Sequence, residues 1–172
     1  FLREDPLRNM TLAEAVTTTG QDGLMASATV TPGSPDYIIN SFGAHFAEVE
    51  VDTETGQVRI LRYVAAHDSG RIINPKLAVN QVEGGVGQML GYTLLEDLVY
   101  DKQTGVTLNP SFLEHKCPTI MDVPDIQVMF ADVIDPVAPM GAKSLGELPS
   151  VGVASSVSNA IYNAIGIRFP VL

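Results

Sequence analysis

A glycine-rich loop before the last predicted helix holds the strongest candidate for acid–base chemistry. The loop, Gly141–Glu147, leads into a helix that we expect to begin near Pro149. Glycine lets the backbone approach a ligand closely, and a helix N-terminus offers free N–H groups to an anion. Lys143 and Ser144 add donors, and a partly desolvated Glu147 could act as a general base. An ordinary glycine-rich connection with a helix-capping glutamate explains the same residues, and general patterns favour it.

A second candidate lies on the preceding predicted helix, which begins at Asn74 as N-cap and Pro75 as first helical residue. Polar side chains stand among glycines on this otherwise apolar helix, and Gln81 could bind the polar edge of a cofactor. Each interior glycine costs up to about 1 kcal/mol relative to alanine. We therefore expect another element or a ligand to lie against the glycine positions, which are Gly84, Gly85, Gly87 and Gly91. A glycine face packed on the sheet is the simpler alternative.

Other kinds of site find little support. The histidines, His45, His67 and His115, show no metal-ligand spacing, which predicts structural histidines and no metal ligand from the protein. The single cysteine, Cys117, cannot by itself form an internal disulfide or hold an iron–sulfur cluster, and we expect it to fill the core. One thiol favours a reducing, cytoplasmic setting.

Composition excludes several classes of partner. The chain has 172 residues, about one domain, of which 45% are hydrophobic and 17% charged. Its formal net charge of −10 argues against binding nucleic acid through phosphate neutralisation and against binding an anionic membrane surface. No apolar stretch is long enough to span a membrane.

The elements that must position these residues indicate an α+β fold, a mostly antiparallel sheet with helices packed on it. The clearest is a hairpin, with strands at 42–51 and 58–66 around a short turn and charged side chains on its solvent face. We also predict a helix at 12–18, strands at 26–31, 98–100, 106–108 and 125–132, a turn at 32–35, and a last helix ending at Gly166.

Neither end of the sequence looks natural. It begins at Phe1 without an initiator methionine and ends soon after the last predicted helix, so we expect a fragment of a larger protein. We divide it into an irregular lead-in, residues 1–40, and a main subdomain, residues 41–172.

Three segments, 42–75, 81–91 and 141–149, resemble in order and spacing the molybdenum-binding large subunit of the xanthine dehydrogenase family. The last is similar to that family's Gly-x-Lys-x-x-Gly-Glu-x-Pro signature. The resemblance covers about residues 38–168 and corresponds to the C-terminal part of the subunit. It implies the α+β fold of the cofactor-binding subdomain.

The resemblance also implies an activity. Family members oxidise an aldehyde or an N-heteroaromatic carbon and take the product's oxygen from water. By match to the motif, Glu147 is the base, and Gln81, Gly84, Lys143 and Ser144 lie where the polypeptide nears the molybdenum–pterin cofactor or its nucleotide tail, which could be a cytosine dinucleotide. The metal takes no protein side chain as ligand.

The implied partners are the remaining N-terminal half of the molybdenum subunit and the domains or subunits that carry iron–sulfur clusters and FAD. The alternative is a non-catalytic assembly fragment of the same fold that binds no cofactor by itself.

Overall fold

The computed structural model describes residues 9–20, 22–23, 25–29, 36 and 38–169. They fall in two compact units, Phe1–Pro32 and Gly33–Leu172. The division predicted at residue 40 stays a prediction. Among the helices of the described residues, none is both long and apolar enough to cross a membrane.

Among its described residues the first unit contains one helix, α1 (Leu12–Thr19), which confirms the prediction and extends it by one residue. Thr11 and Glu14 form the expected capping box, with the Thr11 N–H donating to Glu14 Oε2 at 2.6 Å. The strand predicted at 26–31 is wrong for residues 26–29, whose small, exposed side chains offer no large apolar face for a partner strand to cover. Its last two residues and the turn predicted at 32–35 lie outside the described residues.

The second unit begins with the predicted hairpin, β1 (Phe42–Val51) and β2 (Val58–Asp68), paired antiparallel. The Asp52 carboxylate accepts the N–H groups of Glu54 and Thr55 and so shapes the turn. On the solvent face Arg59 Nε donates to Glu50 at 2.9 Å, as expected, although an exposed pair of this kind stabilises a fold little.

The third strand, β3 (Ile126–Phe130), pairs with β2 in parallel. The sheet order is therefore β1-β2-β3, and the sheet is mixed, with one antiparallel and one parallel pair. A parallel pair needs a crossover, which is provided by the chain through helix α2 (Pro75–Leu94). The α+β class with helices packed on a sheet is confirmed.

Three helices of this unit, α2, α3 (Leu148–Val151) and α4 (Val153–Ile165), follow the sequence pattern. The Asn74 side chain caps α2, Gly166 ends α4 in the left-handed region, and a break at Gly152 splits the predicted last helix into α3 and α4. Apolar residues one turn apart on α2 and α4 meet β2 in the core, which contains Tyr63, Ala65, Val82, Val86, Leu90, Val153, Val157 and Ile161.

Two further expectations are corrected. The strands predicted at 98–100 and 106–108 form only an isolated bridge between Tyr100 and Thr107, because this segment has no third strand to pair with and stays largely exposed. Cys117 is an exposed free thiol and does not fill the core.

Candidate functional site

The loop from β3 to α3, residues 131–147, is called the site loop because it ends at Glu147. Glu147 directly precedes α3, and its carbonyl oxygen accepts hydrogen bonds from the N–H and the hydroxyl of Ser150, at 3.0 and 2.6 Å. Its side chain is exposed and makes no capping hydrogen bond. The helix-capping interpretation of this carboxylate is therefore wrong, and the carboxylate is left available for another role.

The side chain of Gln81, on α2, reaches the end of the site loop. Its Nε2 donates to the carbonyl oxygen of Gly146 at 2.6 Å, which ties the middle of α2 to the residue before Glu147. Gly84 lies three residues further along α2, on the same side of the helix as Gln81. A Cβ at Gly84 would stand in open space, with no heavy atom within 4 Å. The structure thus brings Gln81, Gly84 and Glu147 to one surface.

Two of the four glycines of α2 are approached closely by another element. At Gly85 an added Cβ would lie 2.8 Å from Pro149 Cβ, and at Gly91 one would lie 2.6 Å from Pro118 Cδ. Close approach of another element, expected from the sequence, is confirmed at these two positions. Gly85 lets α3 sit against α2, and that contact helps set where α3 begins and hence where Glu147 stands.

Lys143 is engaged within the protein. Its Nζ lies 2.8 Å from Asp68 Oδ2, its side chain is only 8% exposed, and its backbone N–H donates to Ser69 O at 2.7 Å. The hydrogen bond from Lys143, followed by that from the Gly70 N–H, holds the pKa of Asp68 below its usual value.

The neighbouring Ser144 presents an exposed side chain, and its carbonyl accepts the Ser41 hydroxyl at 2.8 Å. Sequence reasoning missed Asp68 and Ser41, which hold the site loop from far along the chain. No local pattern marks either residue.

Two histidines lie next to each other, with His45 beneath the start of α4. That both are structural stays a prediction. His45 Nδ1 lies 2.9 Å from the Tyr63 hydroxyl, which in turn lies 2.9 Å from Ser156 Oγ. His67 is 2% exposed, and its ring centroid is 5.0 Å from that of His45. Among the described residues, neither ring nitrogen of His67 has a hydrogen-bond partner.

Burial lowers the pKa of both histidines, that of His45 to about 4 with a smaller contribution from His67. Both rings are therefore neutral at pH 7. Within the part of the chain that the structure describes, no group of three or more His, Cys, Asp or Glu residues could hold a metal ion.

Known proteins match both the sequence and the fold. The family model described as the molybdopterin cofactor-binding domain matches residues 3–124. The molybdenum-binding subunit of xanthine dehydrogenase from Escherichia coli O157:H7 is 39% identical over 132 residues, covering 77% of this chain and 18% of the relative. The aldehyde oxidoreductase molybdenum-binding subunit PaoC of Escherichia coli (strain K12) is 40% identical over 164 residues, covering 94% of this chain and 22% of the relative.

Among solved structures, quinoline 2-oxidoreductase from Pseudomonas putida 86 superposes with a TM-score of 0.69 at 32% identity, over 74% of this chain and 16% of that one. The chain therefore spans about a fifth of the length of the relatives it matches. Motif order, family match and structural likeness agree that the chain belongs to the molybdopterin cofactor-binding domain family, as part of a molybdenum hydroxylase large subunit of the xanthine dehydrogenase and aldehyde oxidoreductase type.

Proposed function

We propose that residues 41–172 contribute one wall of the molybdenum–pterin site of a hydroxylase that oxidises an aldehyde or an N-heteroaromatic carbon, with Glu147 as general base. The observation that carries the proposal is the Glu147 carboxylate, which caps no helix and belongs to the residue that follows Gly146, whose carbonyl oxygen accepts a 2.6 Å hydrogen bond from Gln81. The relatives named xanthine dehydrogenase and aldehyde oxidoreductase support the substrate class.

The residues at this surface fit a large polar cofactor with one exception. Gln81, Gly84, Ser144 and Glu147 are all exposed, and the open space at Gly84 allows a ligand to approach the backbone of α2. Gln81 and Ser144 offer uncharged polar groups of the kind that fix a ligand's orientation. Lys143 is the exception, because its ammonium group is nearly buried and paired with Asp68.

The reaction requires a proton acceptor close to the attacking water. When bound, the molybdenum–pterin group would supply the redox centre that takes up the two electrons removed from the substrate. For an aldehyde the balance is RCHO + H2O giving RCOOH, two protons and two electrons. Glu147 would accept one of these protons at a carboxylate oxygen as water adds to the substrate carbon, and a base placed in this way contributes about 10²–10⁴-fold in rate.

The remaining components belong to other parts of the enzyme. One cysteine cannot ligate an iron–sulfur cluster alone. We therefore assign the iron–sulfur clusters and FAD to other domains or subunits, and the rest of the cofactor site to the N-terminal half of the molybdenum subunit. A cytosine dinucleotide form of the cofactor and a cytoplasmic location complete the proposal.

The experiment is Glu147→Gln in the holoenzyme, with Glu54→Gln in the exposed hairpin turn as the matched control. Glutamine is nearly isosteric with glutamate but cannot accept a proton at neutral pH, so we expect kcat to fall about 10²–10⁴-fold. Molybdenum and pterin content should stay unchanged. Unchanged turnover with full cofactor content would favour the alternative, a non-catalytic assembly role for this region.

A further inference from the structure

The site loop is fastened to the end of β2 by both charge and backbone. The Lys143 Nζ–Asp68 Oδ2 ion pair, 2.8 Å long, joins the site loop to the last residue of β2. Beside it Lys143 N–H donates to Ser69 O and Arg71 N–H donates to Gly141 O, each at 2.7 Å. A side chain 8% exposed with two flanking backbone bonds has little freedom to reach another ligand.

The charges around Lys143 also disfavour an anionic ligand. Asp68 accepts a hydrogen bond from its ammonium group directly. Asp135, eight residues earlier in the site loop, has its pKa lowered mainly by the backbone N–H groups of Ala138 and Val137, and to a smaller extent by the charge of Lys143. Two carboxylates thus face the single ammonium group of Lys143. Because Asp68 already neutralises that ammonium group, it offers little attraction to a phosphate or pyrophosphate group.

Glu147 depends on this fastening for its position. Its own carboxylate makes no capping bond, so the backbone on either side sets where it stands. Towards the N-terminus, that backbone is held at Lys143 by Asp68, at Ser144 by Ser41 and at Gly146 by Gln81. Of these three ties, only the first is an ion pair with a nearly buried member.

We propose that Lys143 is a positioning residue that acts through Asp68 to fix the site loop and thereby Glu147, and that it does not touch the cofactor. This inference rests on the proposed function of Glu147 and reassigns Lys143 within it. A misplaced reacting group can cost up to about 100-fold in rate even when every catalytic residue is present.

The test is a double-mutant cycle in the holoenzyme, using Asp68→Asn, Lys143→Met and the double variant, with the exposed Lys102→Met as control. Turnover is measured with an aromatic aldehyde and with xanthine. Each single variant should lower kcat roughly ten- to a hundred-fold while KM changes less than about two-fold. The double variant should be no worse than either single one, because both remove the same interaction. Lys102→Met should behave as the unaltered enzyme.

Two readouts do not depend on activity. Pterin and molybdenum content should stay unchanged in both single variants, and the amides of Arg71 and Lys143 should exchange with solvent faster, since their bonds lie beside the broken ion pair. Loss of pterin from Lys143→Met but not from Asp68→Asn would overturn the proposal, because it would place Lys143 at the cofactor. Unchanged kcat and exchange in both would overturn it equally.

If a single variant does not assemble, Asp68→Glu keeps the charge and displaces it by one methylene, and the same fall in kcat is expected from it. Failure of the proposed function is recognised separately. In that case Glu147→Gln leaves turnover unchanged, while faster exchange at Arg71 and Lys143 in Asp68→Asn still reports whether the ion pair holds the site loop.

Discussion

Two long irregular segments of the second unit are held in opposite ways. Among the described residues, the side-chain hydrogen bonds of the distal loop, residues 95–125, join partners at most 12 positions apart. A backbone bond from Tyr63 N–H to Asp125 O ties only its last residue to β2. The site loop is tied through bonds that span 65, 75 and 103 positions. Local bonds fix the shape of a loop, whereas long-range bonds fix its place relative to other elements. Placing a reacting group requires the second kind of bond, and the segment that ends at Glu147 has it.

The largest contrast is expected from two glycines with left-handed backbones. Gly70→Ala and Gly105→Ala both place a side chain at positive φ, +67° and +73°, which costs about 1–2 kcal/mol. At Gly70 the new Cβ would also overlap the Gly141 carbonyl, adding about 1–3 kcal/mol, whereas Gly105 faces open space. Chemical denaturation should show Gly70→Ala as clearly less stable. Equal losses would mean that the approach of Gly70 to the site loop contributes nothing.

As pH is lowered, the region around the site loop should lose stability at a higher pH than the distal loop does. Burial keeps His45 neutral down to pH about 4, so the unfolded chain binds more protons between pH 6.5 and about 4. As pH is lowered across this window, the contribution of His45 to the free energy of unfolding therefore falls, by at most about 3 kcal/mol, and it levels off below the window. In the distal loop, backbone N–H groups keep the pKa of Asp101 and Asp122 below the usual value, so these carboxylates stay ionised.

Hydrogen exchange at pH 7 and 4.5 checks this contrast, with α4, which begins above His45, expected to lose protection first. His45→Gln should lose most of the slope of stability with pH. A flat stability between pH 6.5 and 4.5 in the unaltered chain would rule out the histidine pair as its origin.

Adjacent glycines of α2 give a smaller and opposite pair of effects. Gly84→Ala meets nothing within 4 Å and should stabilise the helix by up to about 1 kcal/mol. Gly85→Ala pushes on Pro149 at 2.8 Å and should destabilise by about 1–2 kcal/mol net, despite the same gain in helix propensity. Thermal unfolding of both variants tests this, and Gly84→Ala should also lower the pterin content of the holoenzyme. Full pterin content would remove Gly84 from the proposed cofactor contacts.

The smallest difference in stability is expected between alanine variants of two aspartates that play the same structural part in the two loops. Asp101 accepts two backbone N–H groups in the distal loop, at 2.8 and 2.9 Å, and Asp135 accepts two in the site loop, at 2.9 and 2.7 Å. Replacing either by alanine should cost a similar amount of stability, about 0.5–1.5 kcal/mol. Only Asp135→Ala should also lower kcat, because only its turn belongs to the segment that places Glu147. A fall in kcat for both would show that the two loops are not functionally distinct.

The sequence predicted what neighbouring residues decide. The hairpin follows from alternation around Asp52–Gly56, α2 from Asn74 and Pro75, and the end of α4 from Gly166, since each signal acts within a few residues. Residue types alone made Glu147 a candidate base, the family resemblance favoured that role over helix capping, and the role stays a prediction.

Contacts between residues far apart along the chain were not predicted from the sequence. Nothing near Lys143 indicates that Asp68 neutralises it, 75 positions away, or that Gln81 donates to Gly146. The isolated bridge between Tyr100 and Thr107 shows the converse, because strand-like residues did not make a strand where no neighbouring strand was available.

The parallel pairing of β2 with β3 has a consequence for the order of folding. Val51 and Val58 meet across a turn of the hairpin, whereas Tyr63 pairs with Ile126, 63 positions away. A hairpin closes in about 1–10 μs, but a pairing over that distance must wait until α2 has formed and returned the chain, at the entropic cost of a long loop. Glu147, which follows β3, is therefore brought to its place late, and a nascent chain has a formed hairpin well before the site loop is in position.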